Sequence, residues 1–188
     1  QQVGKLPLLF HQSFLFHIVR QLIKYEHQCN YKIIKPKPLL IKKKVVSSTL
    51  IRNYLQKGKL DKINKLLNRE WSIEGKVQRG RQLGKKIGFP TANMDIKDYV
   101  LGCPGVYAVR AKITKSSKYL KGIANLGYRP TFNGKKILLE VHLFNFSGNL
   151  YNKYLTVKFL RFIRKEKKFK NIDQLKKQIN ADLLIAKK

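Results

Sequence analysis

The sequence predicts a mainly β fold: a small closed antiparallel barrel or sandwich with a C-terminal helix, preceded by a mixed α/β segment. Three observations carry this. From Trp71 onward helical periodicity stops, and five apolar runs follow at 72–77, 106–113, 119–125, 138–146 and 154–163. Gly- and Pro-bearing joins punctuate them at 102–105, 127–130, 133–134 and 147–149, the pattern of short strands between turns. The final segment reads as a helix, with Asn171 as cap, Gln174 three residues on, and Ile172, Leu175, Ile179 and Leu183 on one face.

The N-terminal part has a different texture. Residues 13–26 read as a helix whose stripe of Leu15, Ile18, Val19 and Leu22 marks a core face. Short β-like pieces follow at 31–34 and 39–41, interrupted by Pro36 and Pro38, which cannot donate to a ladder. Ser47, Ser48 and Thr49 supply a cap for a helix carrying Ile51, Tyr54 and Leu55, and a second short helix spans 61–67. The expected domain boundary lies near 68–71, giving an upstream segment 1–68 and a barrel domain 69–188.

Composition narrows the class. Hydrophobic residues make up 43% of the 188 positions, enough for a packed core. Against 41 Lys and Arg stand only 10 Asp and Glu, a formal charge of +31. Such a balance favours polyanions, but the charges are spread along the chain and no nucleic-acid module signature occurs, so solvated lysine-rich faces are the expected reading and nucleic acid is not an expected partner. Cys29 and Cys103 are far apart, without zinc spacing, and read as free thiols in a reducing cytoplasm. The apolar stretch 14–23 is broken by His17, Arg20 and Gln21, too short and polar for a membrane span. The chain opens on Gln1 rather than Met, which points to missing upstream sequence. Oligomeric state is not legible.

Two features carry chemistry. The run from Gly75 to Asn93 contains Gly75, Gly80, Gly84 and Gly88 among Arg79, Arg81, Lys85 and Lys86, and ends in Thr91 and Asn93. Glycines let backbone N–H groups approach phosphate oxygens, and neutral side-chain oxygens suit a hard cation such as magnesium. The spacing fits neither a Walker A loop nor a dinucleotide fingerprint, so a glycine turn with solvated charges stands beside the phosphate reading. The second feature comes from the acids. Most precede the barrel, lie on the last helix (Asp173, Asp182) or, like Glu166, sit among lysines, whereas Glu140 lies inside the apolar strand 138–144. Alternation sets Glu140 and His142 opposite Leu139, Val141 and Leu143. A general base and a solvated strand face are both open for Glu140; for His142 a satisfied or exposed strand histidine is expected.

The run 84–93, with its Pro-Thr-Ala-Asn ending, resembles the signature of riboflavin kinases, and the blocks 125–132, 139–148 and 162–169 are similar to that family's later blocks, in the same order. The resemblance covers about residue 72 to the C-terminus. It implies a Greek-key barrel with a C-terminal helix and transfer of phosphate from ATP, with Mg2+, to riboflavin, giving FMN. Residue by residue, it implies that Thr91 and Asn93 position magnesium and the ATP phosphates, that Glu140 is the catalytic base, and that Arg164 lies near the flavin. Gly75, Arg79 and the turn bearing Gly84, Lys85 and Gly88 would flank the nucleotide. Bacterial members usually carry Arg where this chain has Lys85, which keeps the charge but loses the bidentate fork.

Upstream, 46–52 resembles an element near the end of the bacterial FMN adenylyltransferase domain, which precedes the kinase in bifunctional FAD synthetases. The resemblance implies that Ser48, Thr49 and Arg52 belong to a remnant of an ATP phosphate site; a plain helix cap is the other reading. The paired histidines of that domain's nucleotide motif are not matched by His11 and His17. The expectation is a working kinase and no FAD synthesis by this chain alone. Two other classes remain: a basic barrel that binds RNA, and a barrel that binds flavin without catalysis.

Overall fold

A computed structural model describes residues 18–26, 28–34, 37–80, 82–96, 99, 102–114, 116–131 and 134–187, the side chains of 129–131 and 134–136 excepted. They fall into two compact units, Gln1–Leu39 and Leu40–Lys188. In the first, residues 18–25 form helix α1, and the Glu26 carboxylate accepts from the Ile33 N–H at 3.0 Å. The stripe expected to be core is instead solvent-facing at Ile18 and Leu22. Periodicity identifies an apolar face but not what covers it. The β-like run 31–34 forms no ladder, and Leu15 lies outside the described residues.

The second unit opens with a hairpin of β1 (Leu40–Ile41) and β2 (Lys44–Val45), then α2 (Ser48–Gln56) and α3 (Leu60–Leu67). Ser47 caps α2, its hydroxyl accepting from the Leu50 N–H at 3.2 Å. Asn68, in the left-handed region at φ 49°, ends α3. Leu55, Leu60 and Ile63 enter the same core as the barrel, the Cys103 N–H donates to Leu55 O at 2.8 Å, and the Trp71 N–H donates to Asn64 Oδ1 at 2.8 Å. The boundary expected near 68 falls inside this unit. Ile63 is fully buried; Ile63→Ala removes packing atoms from the shared core and is expected to destabilise the barrel by about 2–5 kcal/mol. Chemical denaturation followed by Trp71 fluorescence checks it: an unchanged midpoint would mean that α3 does not support the barrel.

The barrel strands are β3 (Ser72–Gln78), β4 (Ala92–Asp95), β5 (Gly105–Ile113), β6 (Leu120–Thr131), β7 (Gly134–Leu143) and β8 (Tyr154–Lys165), with α4 (Leu83–Lys86) before β4 and α5 (Ile172–Lys187) at the end. They close in the order β3-β4-β7-β6-β5-β8. Strands β5, β6 and β7 form a meander, and β8 returns beside β5, which is a Greek key. Inward positions alternate along each strand: Ile73, Gly75 and Val77; Ala92 and Met94; Tyr107, Val109 and Ala111; Leu139, Val141 and Leu143; Leu155, Val157 and Phe159. Trp71 and Tyr107 pack on Phe159, with ring centroids 4.4 and 5.2 Å away. Burial holds the Tyr107 phenol well above the ordinary tyrosine range, so its hydroxyl is a neutral donor, bonded to the Cys103 carbonyl.

Three local features depart from the sequence reading. Strand β4 was not among the expected runs. The join expected at 127–130 is absent, because β6 continues through it and pairs with β7 as far as Thr131 opposite Gly134; the ladder overrides the Gly and Pro signals. Asn133, of the next expected join, lies outside the described residues. In α5 the Gln174 N–H bonds Asn171 Oδ1 at 2.9 Å as expected, but the Gln174 side chain reaches back to the N–H of Lys170 rather than of Asn171. Ile172 is exposed, and the buried residue of α5 is Asp182.

Candidate active site

Outward positions of the barrel strands build the site. The register sets Asn93 of β4 directly opposite Glu140 of β7, Glu140 opposite Asn125 of β6, Asn125 opposite Val106 of β5, and Val106 opposite Arg164 of β8. Directly opposed residues share a face, so these five form one row across five strands. Two register shifts between β5 and β8, at Val106/Tyr107 and Ala108/Val109, re-aim β8 so that Phe162 meets Tyr107 inside while Arg164 lands beside Val106 outside. Gly105 lies in that crossing at φ 153°, where an added Cβ would meet Arg164 O at 2.2 Å, so the close approach of the strands needs glycine.

Over the row opens a cavity of about 480 Å3, within the range of small-molecule sites, roughly 300–1,000 Å3. The strand row forms its floor, the turn around α4 one end, and α5 a wall through Leu175, Ile179 and Asp182. This cover explains why Val106 and Ala108 are buried although they point out of the barrel. Asn93 and Asp182 are the buried polar side chains among the described residues, and both line the cavity.

The α4 end is shaped by backbone contacts. The Phe89 N–H donates to Gly84 O at 2.7 Å, closing the turn, and Gly88 sits at φ 94°. A Cβ on Gly84 would meet Phe89 O at 2.4 Å and Thr91 Oγ1 at 3.3 Å. Gly84→Ala must therefore push the segment bearing Thr91 out of place. Overpacking of this kind costs about 1–3 kcal/mol; the expected outcome is a lower midpoint in chemical denaturation, and an unchanged midpoint would mean that the turn accommodates the extra methyl group. At the next position, His142 Nδ1 lies 2.8 Å from Pro90 O, and its ring meets Phe89 edge-on at 6.1 Å. The histidine thus ties β7 to the segment before β4, as the satisfied-histidine reading expected. Asn93 Nδ2 donates to Thr91 O at 3.4 Å, a long bond.

Residues 67–188 match the Flavokinase family, riboflavin kinase. The chain belongs to the riboflavin kinase family. Among its relatives, a bifunctional riboflavin kinase/FMN adenylyltransferase of Haemophilus influenzae is 46% identical over 142 residues, covering 76% of this chain and 46% of the relative. One of the same name from Buchnera aphidicola subsp. Schizaphis graminum is 42% identical over 165 residues, covering 86% and 53%. The chain thus spans about half the length of the curated relatives it matches. A crystal structure described as a macrolide-efflux protein from Streptococcus pneumoniae matches with a TM-score of 0.75 at 31% identity, over 89% of this chain and 54% of that one. Among the described residues no helix is long and apolar enough to cross a membrane.

In this riboflavin kinase fold, the expected site residues Gly84, Thr91, Asn93, Glu140 and Arg164 all line the one cavity. Gly75, Arg79, Lys85 and Gly88 do not: Gly75 faces the barrel interior against Met94, Arg79 stacks over Tyr151 at 5.6 Å, and Lys85 and Gly88 are exposed around α4. Ser48, Thr49 and Arg52 are exposed on α2 and line no part of it. Arg81 lies outside the described residues. Sequence reasoning passed over three cavity groups: Asn125, whose place follows only from register; Asp182; and Glu166, whose carboxylate lies so close to Gly127 that a Cβ there would meet Oε1 at 2.0 Å.

Among the described residues no cluster of three or more His, Cys, Asp or Glu could hold a metal by itself. The neutral oxygens of Thr91 and Asn93 at the buried end of the row fit magnesium in its usual shared mode, in which substrate phosphates and water complete the shell.

Proposed function

We propose that the cavity phosphorylates riboflavin at the end of its ribityl chain, using ATP, and releases FMN and ADP. The observation that carries this is the row Asn93–Glu140–Asn125–Val106–Arg164, which sets a carboxylate between the α4 end and the Arg164 end of one cavity. Glu140 accepts the proton of the terminal ribityl hydroxyl as that oxygen attacks the γ-phosphorus. Asn93 and Asn125, flanking it on the neighbouring strands, hold substrate oxygens in line. Gly84 opens the backbone of the α4 turn toward the phosphates, and α5 excludes water from the flavin end through Leu175 and Ile179. Thr91 and Asn93 would hold magnesium, which would supply charge neutralisation to the transferring phosphoryl group.

FAD synthesis is proposed for a longer chain bearing a whole adenylyltransferase domain, with Ser48, Thr49 and Arg52 at its end. Incubating the 188-residue chain with riboflavin, ATP and magnesium and separating the flavins by chromatography tests both statements. FMN without FAD is the expected result. FAD would show that the upstream segment still acts, and neither product would favour a barrel that binds flavin without catalysis.

A further inference from the structure

Asp182 is 2% exposed, yet it sits on the wall of an open cavity. Its two oxygens accept from Arg164 Nε at 3.0 and 2.9 Å, Arg164 NH2 lies 2.7 Å from Oδ2, and Gln178 Nε2 donates to Oδ1 at 2.9 Å. Arg164 NH1 also donates to Lys165 O at 3.0 Å, and the guanidinium lies over the Phe169 ring at 5.8 Å. Replacing a buried ion pair by apolar residues of similar volume is often neutral or stabilising, and Leu175 and Ile179, which line the same cavity wall, already supply apolar surface.

What the pair does to the cavity is more specific. An unpaired arginine at the end of the row would be a general anion site, able to take a phosphate as readily as a carbonyl. Asp182 cancels that charge and fixes the plane of the guanidinium, which keeps two of its five N–H groups unspent after the bonds to Asp182 and Lys165. The result is a neutral, directional donor some three strand spacings, roughly 14 Å, along the row from Glu140. At the other end, Thr91 and Asn93 are neutral and the exposed lysines of α4 stand nearby. Glu166 and Lys167, which also line the cavity beside Arg164, carry opposite charges, so this end is balanced while the α4 end is cationic.

We propose that Asp182 is a specificity-determining positioning residue: by holding and neutralising Arg164, it makes this end of the cavity accept the neutral carbonyl edge of the flavin ring and reject phosphate. Riboflavin then enters in one direction, with its hydroxyl end at Glu140, and ATP is confined to the α4 end. This rests on the kinase reading above.

Asp182→Asn keeps the shape and removes the charge. Losing a charged hydrogen-bond partner raises the KM for riboflavin by about ten- to hundredfold, while kcat at saturating riboflavin and the KM for ATP stay close to wild type. Inorganic pyrophosphate becomes competitive with riboflavin, which it is not in the unaltered chain. Quenching of riboflavin fluorescence reads the same loss of affinity without turnover, and circular dichroism reports on folding. Should the variant not fold, Gln178→Ala, which removes one bond to the carboxylate, must show the same pattern at smaller size. An unchanged KM with no pyrophosphate competition, or a fall in kcat alone, overturns the proposal. An unaltered chain that neither binds nor phosphorylates riboflavin overturns the kinase reading beneath it.

Discussion

Glu140→Gln lowers the turnover of riboflavin by about two to four orders of magnitude, the range expected for a general base. The amide is nearly isosteric, so the pairing of β7 with β4 and β6 persists, and with it the alternation that buries Leu139 and Val141. The substitution removes the proton acceptor. The signature is therefore a fall in kcat and kcat/KM together, with riboflavin affinity by fluorescence titration unchanged. A Gln variant of near-normal turnover would remove the base from the mechanism and leave Glu140 as a positioning group.

Asn93→Ala is expected to cut kcat/KM for ATP by about 100- to 1000-fold, comparable to removing one preorganised polar group from a transition-state site. Asn93 is 7% exposed, and its amide occupies the space over Gly80, where a Cβ would approach it to 2.5 Å. The neighbouring inward residues Ala92 and Met94 keep β4 in place. A magnesium titration checks the assignment: the variant should need more magnesium to reach half its maximal rate, and riboflavin affinity should not change. An unaltered magnesium requirement would move the metal away from this end of the row.

Much of the fold was legible because strands with one covered face write their burial into alternate residues, as in Leu139, Val141 and Leu143 against Glu140 and His142. Strand β4 escaped because it is four residues long and follows a run whose Gly and Lys content reads as a loop. Ile63 of α3 and Phe159 of the barrel share a core across the change of periodicity at Trp71, a contact between distant residues that no local pattern encodes.

The candidate site is legible where its chemistry is local and not where it depends on register. Thr91, Asn93 and Glu140 stand out as oxygen-bearing residues in unusual surroundings. That Asn93 lies opposite Glu140, and Glu140 opposite Asn125, is a property of strand pairing that no spacing encodes. In the sequence Asp182 reads only as one of the acids of the last helix. Its partner Arg164 is 18 residues away, on a strand whose register shifts against β5 before it reaches that position.

The most direct test of the account is a crystal structure of the chain with riboflavin, magnesium and a non-hydrolysable ATP analogue. The account predicts the terminal ribityl oxygen within hydrogen-bond reach of the Glu140 carboxylate, the γ-phosphate beside Thr91 and Asn93, and the ring edge at Arg164. A flavin bound in the opposite direction, or outside this cavity, would contradict it.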